Sequence, residues 1–582
     1  MVGFTIKWEI IMSEFKEEAI KKANEIDDII IKNLCQKKSF LVEAGAGAGK
    51  THSLEKVIEW LRDNKSDEYR HNGKKVACIT YTNAAVDVIK SRLPENSFIT
   101  PSTIHSFAWN TIKQFQESLI EILSKNELLP KECEKEKIEQ AEYTLGVKYY
   151  NENERCVYLG HNDILKLFSI MLDNEKFRKI LSNQYPIILI DEYQDSNKEI
   201  VNKFLSYFVS NNTGIQLGFF GDSWQTIYST NGVCGKIDNN NLVVIKKEVN
   251  FRSTKTIVDM LNKIRPKLPQ QSALIENEGK VIVITTNNFQ GARRTDRNFT
   301  GDLPQPIAEE YVRNIKEKFD KDKDDNQKLI VLMLTHRILA DQQGYPSVFE
   351  VLGDGIKNAD DILLCYLKET LFPLLKCINE NDMIGICDIL KISEYPIQTK
   401  GDKKKWSDVK AIFRNNDDRS IFEFLSIFHE KQLLSFPEDI NEIYNKMKID
   451  SSEQYQNSTF SQLKNIKISE FKKAVDFISP ESQFSTDHGV KGEEYDSVLF
   501  VIGKGWNLYQ FEQWMPKANE QLNEHDTKSF ERNRNLFYVC CSRPKRNLIF
   551  LITIKLEDTF KSYLENLVGR ENIIDYEDYV SM

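Results

Sequence analysis

The chain has 582 residues, of which 41% are hydrophobic and 28% are charged, and its formal net charge at pH 7 is −9. A chain of this length is too long to fold around one hydrophobic core, so we expect several core-sized units. The composition excludes a largely disordered protein. The negative charge argues against polyanion binding by the whole surface but leaves room for a local nucleic-acid groove.

The cysteines give an expectation about the cellular compartment. Ten are scattered along the chain, and the only close pair is the adjacent Cys540 and Cys541. No metal-binding or redox spacing is present, which fits structural thiols in a reducing cytoplasm. The longest apolar runs, such as residues 187–190, are too short for a membrane span, and the N-terminus lacks the features of a secretory signal. We therefore expect a cytoplasmic protein.

The first half of the chain alternates strand and helix patterns. A helix is predicted at residues 13–34, a strand at 39–42, and a helix from 50 to about 62 after a glycine-rich loop. KKVACITYT, AAVDVIKSRL and SFIT then predict a strand, a helix and a strand. Residues 110–185 have helical spacing, and strands return at YPIILIDE, GIQLGFFGD and NLVVIKKEV. This alternation predicts a parallel sheet covered by helices and interrupted by a helical insertion.

The second half repeats that organisation. GKVIVITT, KLIVLMLTH, SVLFVIGKG and NLIFLITI predict strands, with a second helical insertion before the last two. We therefore expect an α/β fold with two parallel-sheet cores, each with a helical insertion. The predicted boundaries are residues 1–110 and 185–265 for the first core, 111–184 for its insertion, 266–338 and 480–582 for the second core, and 339–479 for its insertion.

The stretch FLVEAGAGAGKTHSL, residues 40–54, predicts a phosphate-binding loop. It places glycines between a strand and a helix, so that backbone N–H groups and the helix N-terminus can face phosphates. Lys50 would reach the β- and γ-phosphates and Thr51 would hold Mg²⁺, although Ala44 replaces the first glycine of the strict pattern. The alternative is a glycine-rich turn before a helix. The predicted nucleotide-binding residues here are Ala44, Gly45, Ala46, Gly47, Ala48, Gly49, Lys50, Thr51 and His52.

The segment ILIDEYQDSN predicts the second half of the site, because an apolar strand ends there in adjacent carboxylates. Asp191 would contact Mg²⁺ through the water shell of the ion, and Glu192 would orient and deprotonate the attacking water. The alternative is an acidic turn at a strand end, which is common on protein surfaces.

Together these motifs resemble those of the UvrD/Rep/PcrA-like superfamily 1A helicases. ITYTNAAVDVIKSRL, STIHSF, GDSWQTIY, NFRS, STDHGVKGEEYDSV and RNLFYVCCSR resemble motifs Ia, Ib, III, IV, V and VI of that family, in its order. With AGAGAGKT and DEYQD there are eight ordered matches between Ala44 and Arg543. The resemblance implies two RecA-like cores, ATP and Mg²⁺ as cofactors, and movement on single-stranded DNA with 3′–5′ polarity.

The resemblance also implies roles for single residues. Gln225 would sense the γ-phosphate and couple it to the DNA groove. Arg252 and Arg543 would both reach the γ-phosphate, and cationic groups suit the negative charge of the transition state. The alternative for Arg543 is an ordinary arginine on a helix surface. The alternative for Phe251, which would stack on adenine, is an aromatic side chain of the hydrophobic core. The remaining nucleotide contacts would be Phe251, stacking on adenine, with Gly492 and Glu494 from the second core.

The predicted DNA contacts follow the motif Ia and Ib strands. Hydroxyl, amide and backbone N–H groups can hold phosphates without net basicity, and Tyr81 offers a face for base stacking. For His105 and His488, a core histidine is the alternative, and a metal ligand is disfavoured because neither has ligand-spaced companions. The predicted DNA-binding residues are Thr80, Tyr81, Thr82, Asn83, Ser102, Thr103, His105, Ser106, Tyr228 and His488.

Some positions depart from the family. No glutamine precedes the loop at the spacing of the adenine-reading motif, His52 stands where arginine is frequent, and no tryptophan follows Tyr228 two residues on. Losing one stacking partner removes about 1–3 kcal/mol per base. These departures affect adenine preference and unwinding more than ATP hydrolysis.

The short insertions and LTHRILADQQGY resemble the compact UvrD-like proteins of phage-defence operons, the Gabija GajB-like family, which work beside a separate nuclease. The sequence therefore predicts an ATP-dependent DNA helicase or translocase in phage defence or DNA repair. The main alternative is a DNA-dependent ATPase, or a nucleotide-sensing subunit, that regulates a partner nuclease without processive unwinding. An inactive scaffold is a third interpretation, which the intact Lys50, Glu192, Arg252 and Arg543 disfavour.

Overall fold

The computed structural model describes most of the chain. It covers residues 2–582 apart from residues 95–96, 127, 131–132, 134–137, 145–147, 211–213, 228–231, 275–278, 297–298, 323–327, 334–339, 341–343, 354–361, 381, 383–384, 387–388, 390–398, 400, 402–403, 405–418, 431–435, 449–458, 478–483, 487–491 and 505–508. Among the described residues, none of the helices has the length and apolar character needed to cross a membrane.

Two compact units are present, defined by where their residues make contacts. Unit 1 comprises Met1–Val281, Phe511–Leu548 and Thr559–Asn572, and unit 2 comprises Ile282–Gln510, Ile549–Asp558 and Ile573–Met582. Phe511–Leu548, which we assign from sequence to the second core, makes its contacts within unit 1. The domain boundaries along the chain stay a prediction.

The strands of both units are short. In chain order they are β1 Phe40–Ala44, β2 Val76–Thr80, β3 Ile99–Thr103, β4 Gln140–Tyr143, β5 Tyr149–Asn151, β6 Cys156–Leu159, β7 Ile187–Asp191, β8 Gln216–Gly221, β9 Val243–Lys247, β10 Val249–Asn250, β11 Gln271–Ser272, β12 Lys280–Thr285, β13 Leu329–Met333, β14 Phe484–Thr486, β15 Tyr495–Ile502, β16 Pro544–Ile552 and β17 Ile573–Asp575.

Helices connect these strands. The α-helices of unit 1 are Val2–Cys35, Lys50–His71, Asn83–Ser91, Ile104–Ile112, Gln116–Lys125, His161–Leu172, Glu175–Gln184, Lys198–Phe204, Lys255–Ile264, Phe511–Trp514 and Glu524–Cys541, and Asp558–Val568 begins in unit 2 and continues in unit 1. Those of unit 2 are Gln305–Asp322, Pro346–Leu352, Ile362–Tyr366, Phe372–Glu380, Ile421–Glu430, Glu438–Lys448, Thr459–Lys464, Ile468–Phe477 and Tyr576–Ser581.

The main sheet of unit 1 has six strands in the order β3-β2-β7-β8-β1-β9, and all of its neighbouring pairs are parallel. Its central strands are buried on both faces, as their continuous apolar sequences predict. Along β7, Ile188 and Ile190 pack into one hydrophobic cluster and Ile187 and Leu189 into another. The parallel arrangement brings the carboxyl ends of β1, β7 and β8 to one edge, where the loop and the acidic turn lie.

The first insertion differs from its prediction as an all-helical segment. It contains a small sheet in the order β4-β6-β5, in which β6 pairs in parallel with β4 and antiparallel with β5. These strands have three or four residues each, too few to produce a clear period-two pattern in the sequence. Tertiary pairing therefore decides their conformation.

The second sheet has the order β14-β13-β15-β16-β12-β17, and most of its residues belong to unit 2. β13 pairs in parallel with β14 and β15, and β12 pairs in parallel with β17. The helices between residues 346 and 477 form a separate hydrophobic cluster around Leu367, Phe428 and Phe471. The prediction of an α/β fold with parallel sheets flanked by helices is confirmed.

Candidate functional site

The loop after β1 contains two glycines in a left-handed backbone conformation. Gly47 and Gly49 have φ of 70° and 72°, values that L side chains rarely adopt. At Gly47 a Cβ would also lie 2.7 Å from the Cβ of Arg252. Ala44 is the buried last residue of β1, and its φ is not positive, so a methyl group causes no strain there. The replacement of the first glycine by Ala44 is thus compatible with the loop.

Lys50 begins the helix after the loop and forms an ion pair with Glu192. Its Nζ lies 3.0 Å from Oε2 and 3.1 Å from Oε1 of Glu192. Burial opposes the charge on Lys50, but the charges of Glu192, Asp222 and Asp191 outweigh it and raise the pKa of Lys50. The lysine is therefore a permanent cation at the position where phosphates would bind.

The two predicted carboxylates lie at the end of β7 and differ in environment. Burial, followed by the charge of Glu192, raises the pKa of the Asp191 carboxyl. Glu192 has φ 48° and ψ 46°, a left-handed conformation that is strained for a residue with a Cβ. In this conformation the Glu192 carboxylate accepts a hydrogen bond from Lys50 Nζ, and it also accepts one from the Gln194 amide.

Gln225 lies in a short 3-10 helix after β8 and is 4% exposed. Its Nε2 donates to Oδ2 of Asp222 over 2.9 Å, so the fully buried Asp222 carboxylate fixes the orientation of the amide. The backbone N–H of Asp222 donates in turn to Oε1 of Gln194 over 3.1 Å. Gln225 is therefore connected to Glu192 through Asp222 and Gln194.

Two arginines lie close together beside this network. Arg543, 1% exposed, places Nη2 3.5 Å from Oε1 of Gln225, and Arg252 donates from Nη1 to the carbonyl of Ser542 over 3.1 Å. Burial and then the charge of Arg252 lower the pKa of the Arg543 guanidinium to about 10. Because the two cations destabilise each other, the arrangement favours an anion between them.

Several residues that the sequence did not single out support the loop. The N–H of Ala46 donates to the hydroxyl of Tyr538 over 3.2 Å, and its carbonyl accepts from Asn250 and Gln270 over 2.9 and 3.2 Å. Arg265 pairs with Glu43 and Asp222. Of these residues, Glu43 is the one that the sequence could have indicated, because it is a charged residue near the end of an apolar strand. The other residues are distant along the chain and become neighbours only on folding.

The predicted adenine contacts are placed at the rim of the loop. Phe251 donates its backbone N–H to the carbonyl of Gly47 over 2.9 Å, and its side chain is 39% exposed. His52 is exposed on the helix after the loop. In the helix before β1, Asp27 is buried and accepts from Ser53 and Lys56. Asp27 thus stabilises the helix after the loop through Ser53 and Lys56. A stacking role for Phe251 on adenine stays a prediction.

The donor set fits a nucleotide-bound Mg²⁺. Thr51 directly follows Lys50, and the charge of Asp191 acts on Lys50, so the site has a hydroxyl and a carboxylate available. Mg²⁺ in such sites usually has one or two protein ligands plus phosphates and water. Within the described parts of the chain there is no group of three or more His, Cys, Asp or Glu residues that could hold a metal ion alone. The residues present are therefore suited to a metal that arrives with a nucleotide.

The predicted DNA contacts described by the structure lie at neighbouring strand ends. Thr80 of β2 pairs with Thr103 of β3, and Ile79 pairs with Ser102. Tyr81 is 47% exposed and therefore accessible to a base. Thr82, Asn83 and Ser106 lie at the first turns of the two following helices, where Thr82 and Thr103 are the N-caps.

His105 stacks on His161 of the first insertion, with ring centroids 3.4 Å apart and an interplanar angle of 20°. Burial, followed by the charge of His161, lowers the pKa of His105 to about 4. An unfolded histidine has a pKa of about 6.5, so the unfolded state binds more protons between these values. The contribution of His105 to stability is therefore fully present above about pH 6.5 and is lost as the pH falls towards 4.

We expect acidification to lower the melting temperature through this pair. Between pH 7.5 and 5.0, the wild type should lose more stability than His105→Phe, which keeps a planar ring but does not titrate. The difference should be on the order of 1 kcal/mol, because His105 is partly exposed and screened. Thermal denaturation at both pH values measures it, and equal losses in the two proteins would contradict the assignment.

Tyr228 and His488 lie outside the described residues. Gly492, with φ 89°, and the exposed Glu494 directly precede β15 in unit 2. Their contribution to a nucleotide site stays a prediction.

Comparisons with known proteins show what the chain is similar to. A family model described as "AAA domain" matches residues 27–231. The chain is 23% identical to the Gabija protein GajB of Bacillus cereus (strain HuB5-5), in an alignment that covers 96% of this chain and 99% of GajB.

Helicases are also among the relatives. The chain is 23% identical to the probable DNA helicase II homolog of Mycoplasma capricolum, over 89% of this chain and 82% of that protein. It is 27% identical to the ATP-dependent DNA helicase PcrA of Staphylococcus aureus (strain NCTC 8325 / PS 47), over 38% and 37% of the two chains. The resemblance to UvrD/Rep/PcrA-like helicases is confirmed.

Proposed function

We propose that this chain, an ATP-hydrolysing enzyme of the DNA-helicase type that is similar to GajB and PcrA, couples ATP hydrolysis to movement along single-stranded DNA. The observation that carries the proposal is the ion pair between Lys50 and Glu192, 3.0 Å apart, directly after the left-handed Gly49. It brings a cation that would bind phosphates next to a carboxylate that would activate water, and phosphoryl transfer uses both of these groups.

The chemistry assigns one task to each group. Lys50 and the loop N–H groups would bind the phosphates, and Thr51 and Asp191 would hold Mg²⁺, which would neutralise phosphate charge. Glu192 accepts a proton from the attacking water, while Arg252 and Arg543 stabilise charge on the phosphoryl oxygens. Phosphates would compete with Glu192 for Lys50, and this competition would release the carboxylate to bind water.

DNA would lie across the ends of β2 and β3. Tyr81 presents an accessible ring for stacking, and the hydroxyls and amides nearby suit phosphate oxygens. The 3′–5′ polarity is inferred from the resemblance to UvrD/Rep/PcrA-like helicases. The similarity to GajB over nearly both full lengths supports a role in phage defence beside a separate nuclease.

A second candidate function is a DNA-dependent ATPase that regulates a nuclease without processive unwinding. It is favoured by the sequence after Tyr228, where Ser229, Thr230 and Asn231 replace the usual tryptophan-containing segment. Fewer base-stacking contacts would weaken the binding of single-stranded DNA during each step of movement.

Gln225 would couple the γ-phosphate to the DNA groove, and Asp222 and Gln194 connect Gln225 with Glu192. We therefore expect single-stranded DNA to raise the ATPase rate several-fold. Steady-state ATPase assays with and without an oligonucleotide measure this, with Lys50→Ala as the inactive control. A rate that does not respond to DNA would contradict a motor. A forked duplex then separates the two candidates: strand displacement supports the helicase, and stimulated hydrolysis without displacement supports the regulator.

A further inference from the structure

Arg265 follows the helix Lys255–Ile264 and is 4% exposed. Its guanidinium group bridges two carboxylates: Nη1 lies 2.7 Å from Oδ1 of Asp222 and Nη2 lies 2.8 Å from Oε1 of Glu43. Burial opposes the charge of Arg265, but Asp222, Tyr538 and Glu43 outweigh it and raise its pKa. Arg265 is therefore a permanent cation between the ends of β1 and β8.

Two aromatic rings complete its surroundings. The Arg265 Cζ lies 5.2 Å from the ring centroid of Trp224 and 5.6 Å from that of Tyr538, and the two rings pack edge to face. These contacts hold the guanidinium plane in addition to the ion pairs. A lysine could keep the charge but could not bridge both carboxylates with a planar fork.

Each partner of Arg265 contacts a different part of the nucleotide site. The other oxygen of Asp222 accepts from Gln225, whose amide oxygen faces Arg543. The hydroxyl of Tyr538 accepts from the N–H of Ala46 in the phosphate loop. Arg265 itself has no contact with Lys50, Thr51 or Glu192 among the hydrogen bonds of the described residues.

Glu43 extends this arrangement to the acidic turn. Its second oxygen accepts from the hydroxyl of Tyr193 over 2.6 Å, and Tyr193 directly follows Glu192. Glu43 also directly precedes Ala44, the last residue of β1. The guanidinium group thus joins the strand leading into the loop, the carboxylate that orients Gln225, and the turn that carries Glu192.

We propose that Arg265 is a positioning residue for ATP hydrolysis, which orients Gln225 through Asp222 and is itself held in place by Glu43. This inference rests on the proposed ATP hydrolysis. It predicts an effect on turnover more than on nucleotide binding, because Lys50 and the loop backbone remain in place.

Arg265→Lys tests the proposal, with Arg178→Lys as the matched control. Arg178 also donates to a neighbour, the carbonyl of Leu172, and stacks on a ring, that of Tyr207, in the same unit. With single-stranded DNA present, Arg265→Lys should lower kcat about 10-fold and change KM for ATP less than threefold. Arg178→Lys should leave both constants near those of the wild type.

A double-mutant cycle with Gln225→Ala separates positioning from general destabilisation. If Arg265 acts through Gln225, Arg265→Lys should lower kcat less than about twofold in the Gln225→Ala background. An equal loss in both backgrounds, or a wild-type kcat in the single variant, would overturn the proposal.

If Arg265→Lys does not fold, Glu43→Gln is the replacement variant, because it removes one of the two ion pairs of Arg265 and leaves the pair with Asp222 intact. The expected result is again a lower kcat at similar KM. An unchanged kcat overturns the proposal. If the folded wild type hydrolyses no ATP, the proposed function fails first, and this result is distinct from a failure of the Arg265 inference alone.

Discussion

Glu192→Gln is expected to keep ATP binding and to lower turnover by roughly 100- to 10,000-fold, the usual contribution of a positioned general base. The single amide oxygen can still accept from Lys50 and Gln194, but the amide is uncharged and cannot accept a proton from water. The left-handed backbone at residue 192 supports this assignment, because strained conformations persist where the surrounding structure holds them for function.

Binding of a fluorescent ATP analogue and steady-state hydrolysis, measured on the same preparation, test this expectation. Glu175→Gln is a suitable control, since its exposed carboxylate pairs only with Lys179 on a surface helix among the described contacts. Brisk hydrolysis by Glu192→Gln would remove Glu192 from the role of base. Loss of ATP binding would instead indicate that the ion pair with Lys50 maintains the loop.

Arg543→Lys should lower kcat by roughly 100- to 1000-fold, somewhat less than the 10³- to 10⁵-fold attributed to complete loss of an arginine finger. Lysine keeps the charge in a buried position but cannot reproduce the guanidinium donors directed at Val539, Ser542 and Gln225. The lowered pKa of Arg543, about 10, shows that burial and Arg252 already destabilise its charge. A bound phosphate would relieve that cost.

Single-turnover hydrolysis, with the enzyme in saturating excess over ATP, measures the chemical step for Arg543→Lys. The exposed Arg570 of the same unit provides the control, because Arg570→Lys should leave the rate unchanged. A rate for Arg543→Lys within twofold of the wild type would show that Arg543 does not contact the transferring phosphoryl group. Since KM for ATP should change little, a large rise in KM at constant kcat would also contradict the assignment.

Sequence patterns predicted much of the fold because the signals are local. The apolar runs of β7 and β8 indicate strands buried on both faces, and both lie in the parallel sheet. The first insertion was predicted less well. Its strands β4, β5 and β6 are short, so pairing between segments decides their conformation.

The sequence by itself determined the phosphate loop and the acidic turn, because each consists of consecutive residues with local requirements. Only glycine readily adopts the φ values of residues 47 and 49, and an apolar strand delivers Asp191 and Glu192 to its carboxyl end. Tertiary structure alone decided that Arg265 bridges Glu43 and Asp222, and that Tyr538 binds Ala46. These partners are up to 492 positions apart, and a buried charge is stable only where folding brings its counter-charges to it.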